Sequence, residues 1–369
     1  MPDQIIVKLK KNKLIGRGGA CFPVWEKWSA VKKYAAAQAR KPGRCYVACN
    51  ASEGEPDVKK DRYILENYPE TMVRGMNAAI QFLGAKKAYL YLNPKYYIEL
   101  APKLKSVIGA LPIEVIEKPH GAGYIGGEES SLLSAIEGKR VEPRLKPPYP
   151  VQNGLFGYPT LTNNVETFYD VGRTIEGTYK PTRFITITEH NHPSSFSSMF
   201  SLKKPSGNDV YSFPADWTIE KILKQANRYP LYKFFVQVGG GASGEAVSEN
   251  QLKRPLSGSG SISLYKLEGH NPLALITHWI NFFFEESCGQ CTPCREGIYR
   301  IKEELSCVKP DWGVVKEILD VLTDSAFCGL GCALPVPVEG YVKNVLPLLP
   351  ESQINLTFEE KKTICECFS

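Results

Sequence analysis

Four cysteines carry the clearest chemistry in this sequence. Cys288, Cys291 and Cys294 form a Cys-x-x-Cys-x-x-Cys run, and Cys328 follows well downstream. Three thiolates at that spacing wrap one face of a cubane and a distant fourth closes it, which points to a 4Fe-4S cluster. Zinc is the competing metal, but it is usually held by two separated ligand pairs rather than by three ligands on one loop. Gly289 and Gly297 permit tight backbone there, Pro293 lacks an N–H, and Arg295 can offset an anionic cluster. Cys332 is the rival fourth ligand, because on a continuing helix it shares a face with Cys328. Cys21, Cys45, Cys49 and Cys307 read as small buried side chains. Cys365 and Cys367 in the tail are too few for a second centre.

Three glycine-containing segments could hold an anionic or flat ligand. Gly16-Arg17-Gly18-Gly19-Ala20-Cys21-Phe22-Pro23 precedes a helix with Glu26 and Lys27 in its first turn. Glycines let backbone amides approach a phosphate, and Arg17 or Lys27 can neutralise it. Asn50-Ala51-Ser52-Glu53-Gly54-Glu55-Pro56 lies just past a strand, where open parallel sheets place their ligand crevice. Its acids suit hydroxyl or amide donors, or else a solvated turn. Gly121 to Ser130 enters a helix and carries Tyr124, a ring able to stack on a flat ligand. A fourth segment, Gly239-Gly240-Gly241-Ala242-Ser243-Gly244, satisfies the letter of a dinucleotide fingerprint but is followed by no helical stripe, so it reads as a turn.

The elements that must position these groups follow from periodicity. Helix-like Trp25 to Ala39, strand-like Arg44 to Cys49, helix-like Thr71 to Leu83, and strands at Ala88 to Leu92 and Ile113 to Ile116 alternate as in a parallel sheet covered by helices. Gly- and Pro-rich text from Gly121 to Pro159 is loop, and a helix follows at Asn164 to Thr174. Strands at Phe184 to Thr188, Phe234 to Val238 and Ser261 to Leu267 suggest a smaller α+β domain. Helical period returns in Leu273 to Phe284, Glu296 to Leu305, Trp312 to Leu322 and Val338 to Leu348. The expected division is therefore 1–178, 179–270, 271–350 and a tail, 351–369.

Composition sets the outer limits. At 369 residues, 43% hydrophobic and 23% charged, the chain is globular and multidomain rather than disordered. Its 45 basic and 39 acidic residues leave +6, a charge too diffuse to demand nucleic acid. No run of about 18 apolar residues would span a bilayer, and the N-terminus lacks a secretory layout, so a cytoplasmic protein is expected. The histidines offer no nucleophile–base pair: His278 sits in a helical run, and His190 and His192 in a polar loop. Neither a G-x-S-x-G elbow nor a Walker lysine is present.

Together these segments resemble the flavoprotein subunit of NADH-quinone oxidoreductase and its relatives in soluble NAD-linked hydrogenases and formate dehydrogenases. The matching pieces, in order, are Gly16 to Pro23, Asn50 to Pro56 with Asp61-Arg62, Gly121 to Ser130, Glu137 to Arg140, Pro143 to Pro150, Gly154 to Gly157, Asn163 to Thr167, and Glu286 to Gly297. The resemblance implies a Rossmann-like FMN-binding domain, a central β-grasp (SLBB-like) domain around Val238 to Glu245 and Gly258 to Gly260, and a C-terminal four-helix bundle carrying the 4Fe-4S cluster. It implies that Gly16, Arg17, Gly18, Gly19 and Lys27 hold the FMN phosphate and edge, and that Asn50, Glu53, Gly127, Asn163, Asn164 and Thr167 complete the flavin site. Phe22, Glu55, Tyr124, Glu128, Glu129, Lys146 and Tyr149 would receive NADH, with Glu55 and Glu129 repelling a 2′-phosphate.

The implied activity is hydride transfer from NADH to FMN, run in either direction, with electrons passing to the cluster. Partner redox subunits would carry further centres: a small iron-sulfur subunit, a hydrogenase, a formate dehydrogenase or a quinone-reductase module. The cofactor performs the chemistry, so no protein general base is expected. Departures fall at Ser52, which joins the cofactor-binding set but stands where the pattern has Asp, at Ala30 in place of an aromatic, at Tyr149 in place of Phe, and at Cys21 in place of Gly. Ser52 and Ala30 motivate the alternative reading, an electron-relay or scaffold subunit that no longer binds NAD.

Overall fold

The computed structural model describes residues 2–38, 43–190, 209–269, 271–349 and 354–358. His192, Cys365 and Cys367 lie outside them. The chain folds as two compact units, one comprising Met1–Gly54 and Lys60–Pro181, the other Glu55–Lys59 and Thr182–Ser369. The helices expected to stand apart after residue 270 share the second unit with the strands before them.

The first unit contains helices α1 (Pro2–Lys11) and α2 (Val24–Ala36), strand β1 (Tyr46–Ala51), helices α3 (Lys60–Asn67) and α4 (Pro69–Leu83), strand β2 (Ala88–Leu92), helix α5 (Pro94–Ile108) and strand β3 (Ile113–Glu117). Helix α6 (Glu129–Ile136), strand β4 (Thr160–Asn164) and helix α7 (Val165–Glu176) complete it. The four strands are parallel in the order β3-β2-β1-β4. β1, β2 and β4 are buried nearly throughout, as expected of a parallel sheet covered on both faces. On one face Tyr46, Ala48, Tyr89 and Tyr91 pack with Leu132 and Leu133 of α6 and with Leu155.

α4 and α7 cross in close contact because each offers a glycine to the other. A Cβ on Gly75 would collide with the Phe168 carbonyl oxygen, and one on Gly172 with that of Thr71. Gly84 and Gly177 end these two helices in the left-handed conformation that glycine adopts without penalty.

The second unit holds a five-stranded mixed sheet, β6-β5-β9-β7-β8, built from β5 (Thr182–His190), β6 (Val210–Pro214), β7 (Phe234–Val238), β8 (Glu245–Ser248) and β9 (Ser261–Lys266). β5 and β9 are parallel and the other pairs antiparallel. Ile219, Ile222 and Leu223 of a short helix, Ile219–Gln225, cover one face together with Phe234, Val236, Ile262 and Leu264. Helices follow at Pro272–Glu286, Tyr299–Ser306, Trp312–Ser325, Gly329–Ala333 and Pro335–Asn344. Among the described residues no helix is long and apolar enough to cross a membrane.

The short segment Glu55–Lys59 is held within the second unit by polar contacts. Asp57 Oδ2 lies 2.6 Å from His190 Nε2 and accepts from Ser263 Oγ, and Lys59 N donates to Thr186 Oγ1. His190 thus ends β5, buried, rather than standing in a polar loop. Burial first, and then the proximity of His190, lowers His278 to about 4.

The α4–α7 crossing tolerates no added atoms at its two glycines. Gly75→Ala or Gly172→Ala is expected to cost about 1–3 kcal/mol, read as a lower urea midpoint than that of the wild type.

Candidate functional site

The strand order reverses direction between β1 and β4, since β2 and β3 lie on one side of β1 and β4 on the other. Open α/β sheets bind ligands outside the carboxyl ends of the strands at such a point. Register places Cys49 beside Asn163 and Asn50 beside Asn164, so three carboxamides gather at the two strand ends. α7 starts there too. Asn164 Oδ1 caps it, accepting from Thr167 N at 3.0 Å and Thr167 Oγ1 at 2.5 Å.

The glycine loop closes on the same place. Arg17 N donates to Thr167 Oγ1 at 2.9 Å, and a Cβ on Gly18 would touch Asn164 Cβ at 3.5 Å. Gly18 and Gly19 are exposed. Gly19 has φ +110 with nothing within 4 Å of a Cβ, which leaves open space over its backbone. The Arg17 side chain, however, turns inward and is buried, its Nε 3.4 Å from Asp170 Oδ2. The guanidinium is thus engaged below the loop and not over its exposed glycines.

The third segment is joined by Asn50 and Ser52. Asn50 Nδ2 donates to the Gly127 carbonyl at 2.8 Å, while Ser52 N and Ser52 Oγ both donate to Asn50 Oδ1, at 3.2 and 2.8 Å. A Cβ on Gly127 would lie 2.6 Å from Ser52 Oγ, so residue 127 must be glycine while Ser52 sits there. Glu53 accepts from Asp61 N, Arg62 N and Tyr96 Oη, so its carboxylate braces the start of α3.

Beneath the crevice runs a charge network that periodicity alone does not reveal. Lys60 Nζ lies 2.7 Å from Asp61 and 3.1 Å from Glu166, and Glu166 and Asp170 occupy one face of α7. Asn164 Nδ2 reaches Asp61 at 3.4 Å. In the sequence, the two acids on α7 show their shared face by their i, i+4 spacing after Asn164. Burial, and then the charge of Asp61, pushes Glu53 up to about 7. Burial, and then Glu166, does the same to Asp170, to about 7, despite Arg17.

Glu128 and Glu129 start α6, each with a lysine. Lys146 Nζ is 2.7 Å from Glu128 and Lys27 Nζ is 2.7 Å from Glu129. Glu128 also caps α6 through Ser130 N and Ser131 N, and against the effect of burial Lys146 and the serine donors hold its carboxyl low. Phe22 and Tyr149 are exposed rings and Tyr124 is partly buried. Glu55 is placed elsewhere. Its carboxylate accepts from Ala242 N, Ser243 N and Ser243 Oγ at 2.9–3.0 Å within the second unit. The Gly239–Gly244 turn is thus an amide nest filled by an internal carboxylate.

In the second unit Cys288 and Cys291 follow the helix Pro272–Glu286, Cys294 lies in a π-helical turn, Pro293–Ile298, and Cys328 is the N-cap of Gly329–Ala333. Cys291 and Cys294 are buried, Cys288 and Cys328 partly so, and none is in a disulfide. Burial first, then Cys291, Cys328 and Cys288, pushes the Cys294 thiol well up, so each of these three cysteines acts on Cys294. Cys332 Sγ instead faces the Ala326 carbonyl. A Cβ on Gly331 would lie 2.7 Å from Cys294 Sγ, so this glycine keeps the thiol face clear. Among the described residues no three His, Cys, Asp or Glu side chains close on one point as ligands of a single ion would.

FMN fits the crevice by its donors. The oxygens of Asn50 and Asn164 are consumed internally, whereas Asn163 Nδ2 is buried without a partner. Spare N–H groups above open glycine backbone match the phosphate oxygens and ring carbonyls of a flavin.

Fold and sites define an FMN-binding protein with a 4Fe-4S region. The family model described as the Nuo51 FMN-binding domain matches residues 9–173, and that described as the NADH-ubiquinone oxidoreductase-F iron-sulfur binding region matches residues 274–347. The chain is 35% identical over 356 residues to the F subunit of the NADH-quinone oxidoreductase of Aquifex aeolicus, covering 89% of this chain and 81% of that protein. It belongs to the family of NADH-quinone oxidoreductase F subunits. It is 32% identical to the alpha subunit of the NAD-reducing hydrogenase HoxS of Cupriavidus necator, over 91% of this chain and 58% of that one. A crystal structure of an NAD+-reducing NiFe-hydrogenase in the H2-reduced state aligns with TM-score 0.79 at 30% identity, over 93% of this chain and 61% of that chain.

Two outcomes follow from this geometry. Cys21 sits at φ +52, a conformation costing a residue with a side chain about 1–2 kcal/mol, so Cys21→Gly should raise the urea midpoint by up to that amount. Glu53 and Asp170 hold protons in the folded state that the unfolded chain releases, so stability should fall as pH rises from the ordinary carboxylate range to about 7. Asp170→Asn should flatten that slope, measured as the change in urea midpoint between pH 5 and pH 8.

Proposed function

We propose that this chain is the NADH-oxidising module of a larger redox assembly. The observation that carries this reading is the convergence of Gly16–Gly19, Asn50–Glu53 and Asn163–Thr167, far apart in sequence, at the reversal point of the first unit's sheet. When bound there, FMN supplies the chemistry that takes a hydride from NADH and releases electrons singly, and the cluster accepts them.

The protein's own part is binding and electrostatics. Gly18 and Gly19 offer backbone to the phosphate, with Lys27 nearby on α2, while Arg17 fixes the loop from below through Asp170. Asn50, Asn163, Asn164 and Thr167 form the floor, and Glu53 with Tyr96 holds the turn after β1. Phe22, Tyr124 and Tyr149 supply rings for the dinucleotide. The pairs Lys27–Glu129 and Lys146–Glu128 supply charges that ribose hydroxyls and phosphates can engage. Glu55 can serve the dinucleotide only by giving up its three donors in the Ala242–Ser243 turn.

Cys288, Cys291, Cys294 and Cys328 hold the cluster in this reading. The mixed sheet of the second unit is a β-grasp module and the helices from Pro272 onward are the bundle around the cluster. Partners are the other redox subunits of such a complex, in the cytoplasm.

Two measurements test this. Adding NADH anaerobically to the FMN-loaded protein should bleach the flavin band, with NADPH far less effective; no bleaching by NADH removes the dehydrogenase activity. Cys328→Ser should lose most iron and acid-labile sulfide while Cys332→Ser keeps both, and the reverse outcome moves the fourth ligand to Cys332.

A further inference from the structure

Ser52 stands where the family pattern has an acid, and the structure shows what the hydroxyl does there. It is 2% exposed. The Ser52 N–H can only donate and the Gly127 carbonyl can only accept, so the Asn50 carboxamide is fixed with Oδ1 toward Ser52 and Nδ2 toward Gly127. With Oδ1 unable to donate, the Ser52 hydroxyl must be the donor in its 2.8 Å contact with that oxygen. Asn50 can therefore accept nothing further and has one N–H left to give. Asn164 Oδ1 is saturated in the same way by Thr167, and Asn163 Nδ2 is a buried donor without a partner.

A carboxylate at position 52 could not take the place of this hydroxyl. It would set a negative oxygen against Asn50 Oδ1 and add charge beside Glu53, already pressed toward its neutral form by burial and Asp61. The serine side chain keeps this part of the floor uncharged, while the backbone N–H of residue 52 and the Gly127 carbonyl turn the carboxamide to donate.

We propose that Ser52 is the residue by which this chain sets its flavin's reduction potential: an uncharged side chain beside an Asn50 carboxamide turned to donate favours the electron-rich reduced flavin over the oxidised one. The proposal rests on FMN occupying the crevice of the first unit. Ser52 acts through Asn50 and through its lack of charge, so it is a positioning residue and not a catalytic one.

The test compares wild type, Ser52→Asp, Ser52→Ala and Asn50→Asp as purified full chains loaded with FMN. Midpoint potentials are read by spectroelectrochemical titration at alkaline pH, and oxidised FMN affinity by fluorescence quenching. Ser52→Asp should weaken reduced against oxidised FMN at least tenfold, lowering the two-electron midpoint by about 30 mV or more. Ser52→Ala, which adds no charge, should shift it by much less. Asn50→Asp places the charge on the other partner of the same hydrogen bond and should also lower the potential, so it decides the matter if Ser52→Asp does not fold. A midpoint in the Asp variants equal to or above that of wild type overturns the inference, as does a Ser52→Ala shift as large as that of Ser52→Asp. Wild type that retains no FMN overturns the functional reading and the inference together; loaded wild type with unshifted variants overturns the inference alone.

Discussion

The reversal of strand order between β1 and β4 is the constraint on which the site depends. Because β2 and β3 extend the sheet on one side of β1 and β4 lies on the other, two neighbouring strand ends lead into connections that diverge. The gap between them cannot be closed by helix packing, and the backbone there must be satisfied by side chains. Register brings Asn50, Asn163 and Asn164 to that gap. Carboxamides suit it, since each can accept from one segment and donate to another. Asn164 does so for the first turn of α7, and Asn50 for the turns at Ser52 and Gly127. The glycine loop then has a fixed surface to rest on, through Arg17 N and Thr167.

Holding that surface requires burying charge. Arg17, Lys60, Asp61, Glu166 and Asp170 are all less than 9% exposed, and Glu53 is partly buried. Four acids against two bases leave the cluster short of positive charge, which is why burial and mutual repulsion drive Glu53 and Asp170 toward their neutral forms. Such networks are costly to desolvate and costlier still to break, because a removed partner leaves an uncompensated charge. Their geometric effect is definite here: Arg17 is drawn into the protein, so the exposed side of the loop above it presents backbone and glycine rather than a guanidinium.

What can be read in the sequence divides along physical lines. Ala88–Leu92 and Phe234–Val238 are evident because apolar runs bounded by turns dominate their burial. β4, with the sequence Thr-Leu-Thr-Asn-Asn, escapes notice as a strand because polar side chains fill its buried positions. α3 escapes because Lys60 and Asp61, two of its buried residues, are charged and pay for burial through partners far along the chain. α5 contains Pro102, which argues locally against a helix. The cysteine frame is the most legible part of the site, because metal ligation imposes spacing on one short loop. The glycine loop is legible as a turn but not in its use: the role of Arg17 is decided by Asp170, 153 residues away, and that of Glu55 by a turn near residue 242.

The departure from the family pattern expected in the glycine loop leaves that loop's frame intact. Cys21 shows how. It occupies a position where the pattern has glycine, and it keeps a positive φ that a residue with a side chain adopts only under compulsion. The compulsion is visible on both sides of it. Gly16 N donates to the Phe22 carbonyl, Ile15 and Pro23 form a bridge, and Val24 N reaches back to the Leu14 carbonyl, so the loop's two stems are laced together before and after the turn. The turn's shape is therefore set by its stems and by the docking of Arg17 on α7, not by glycine at position 21. A loop determined in that way can change the side chains it presents without changing where it holds its backbone.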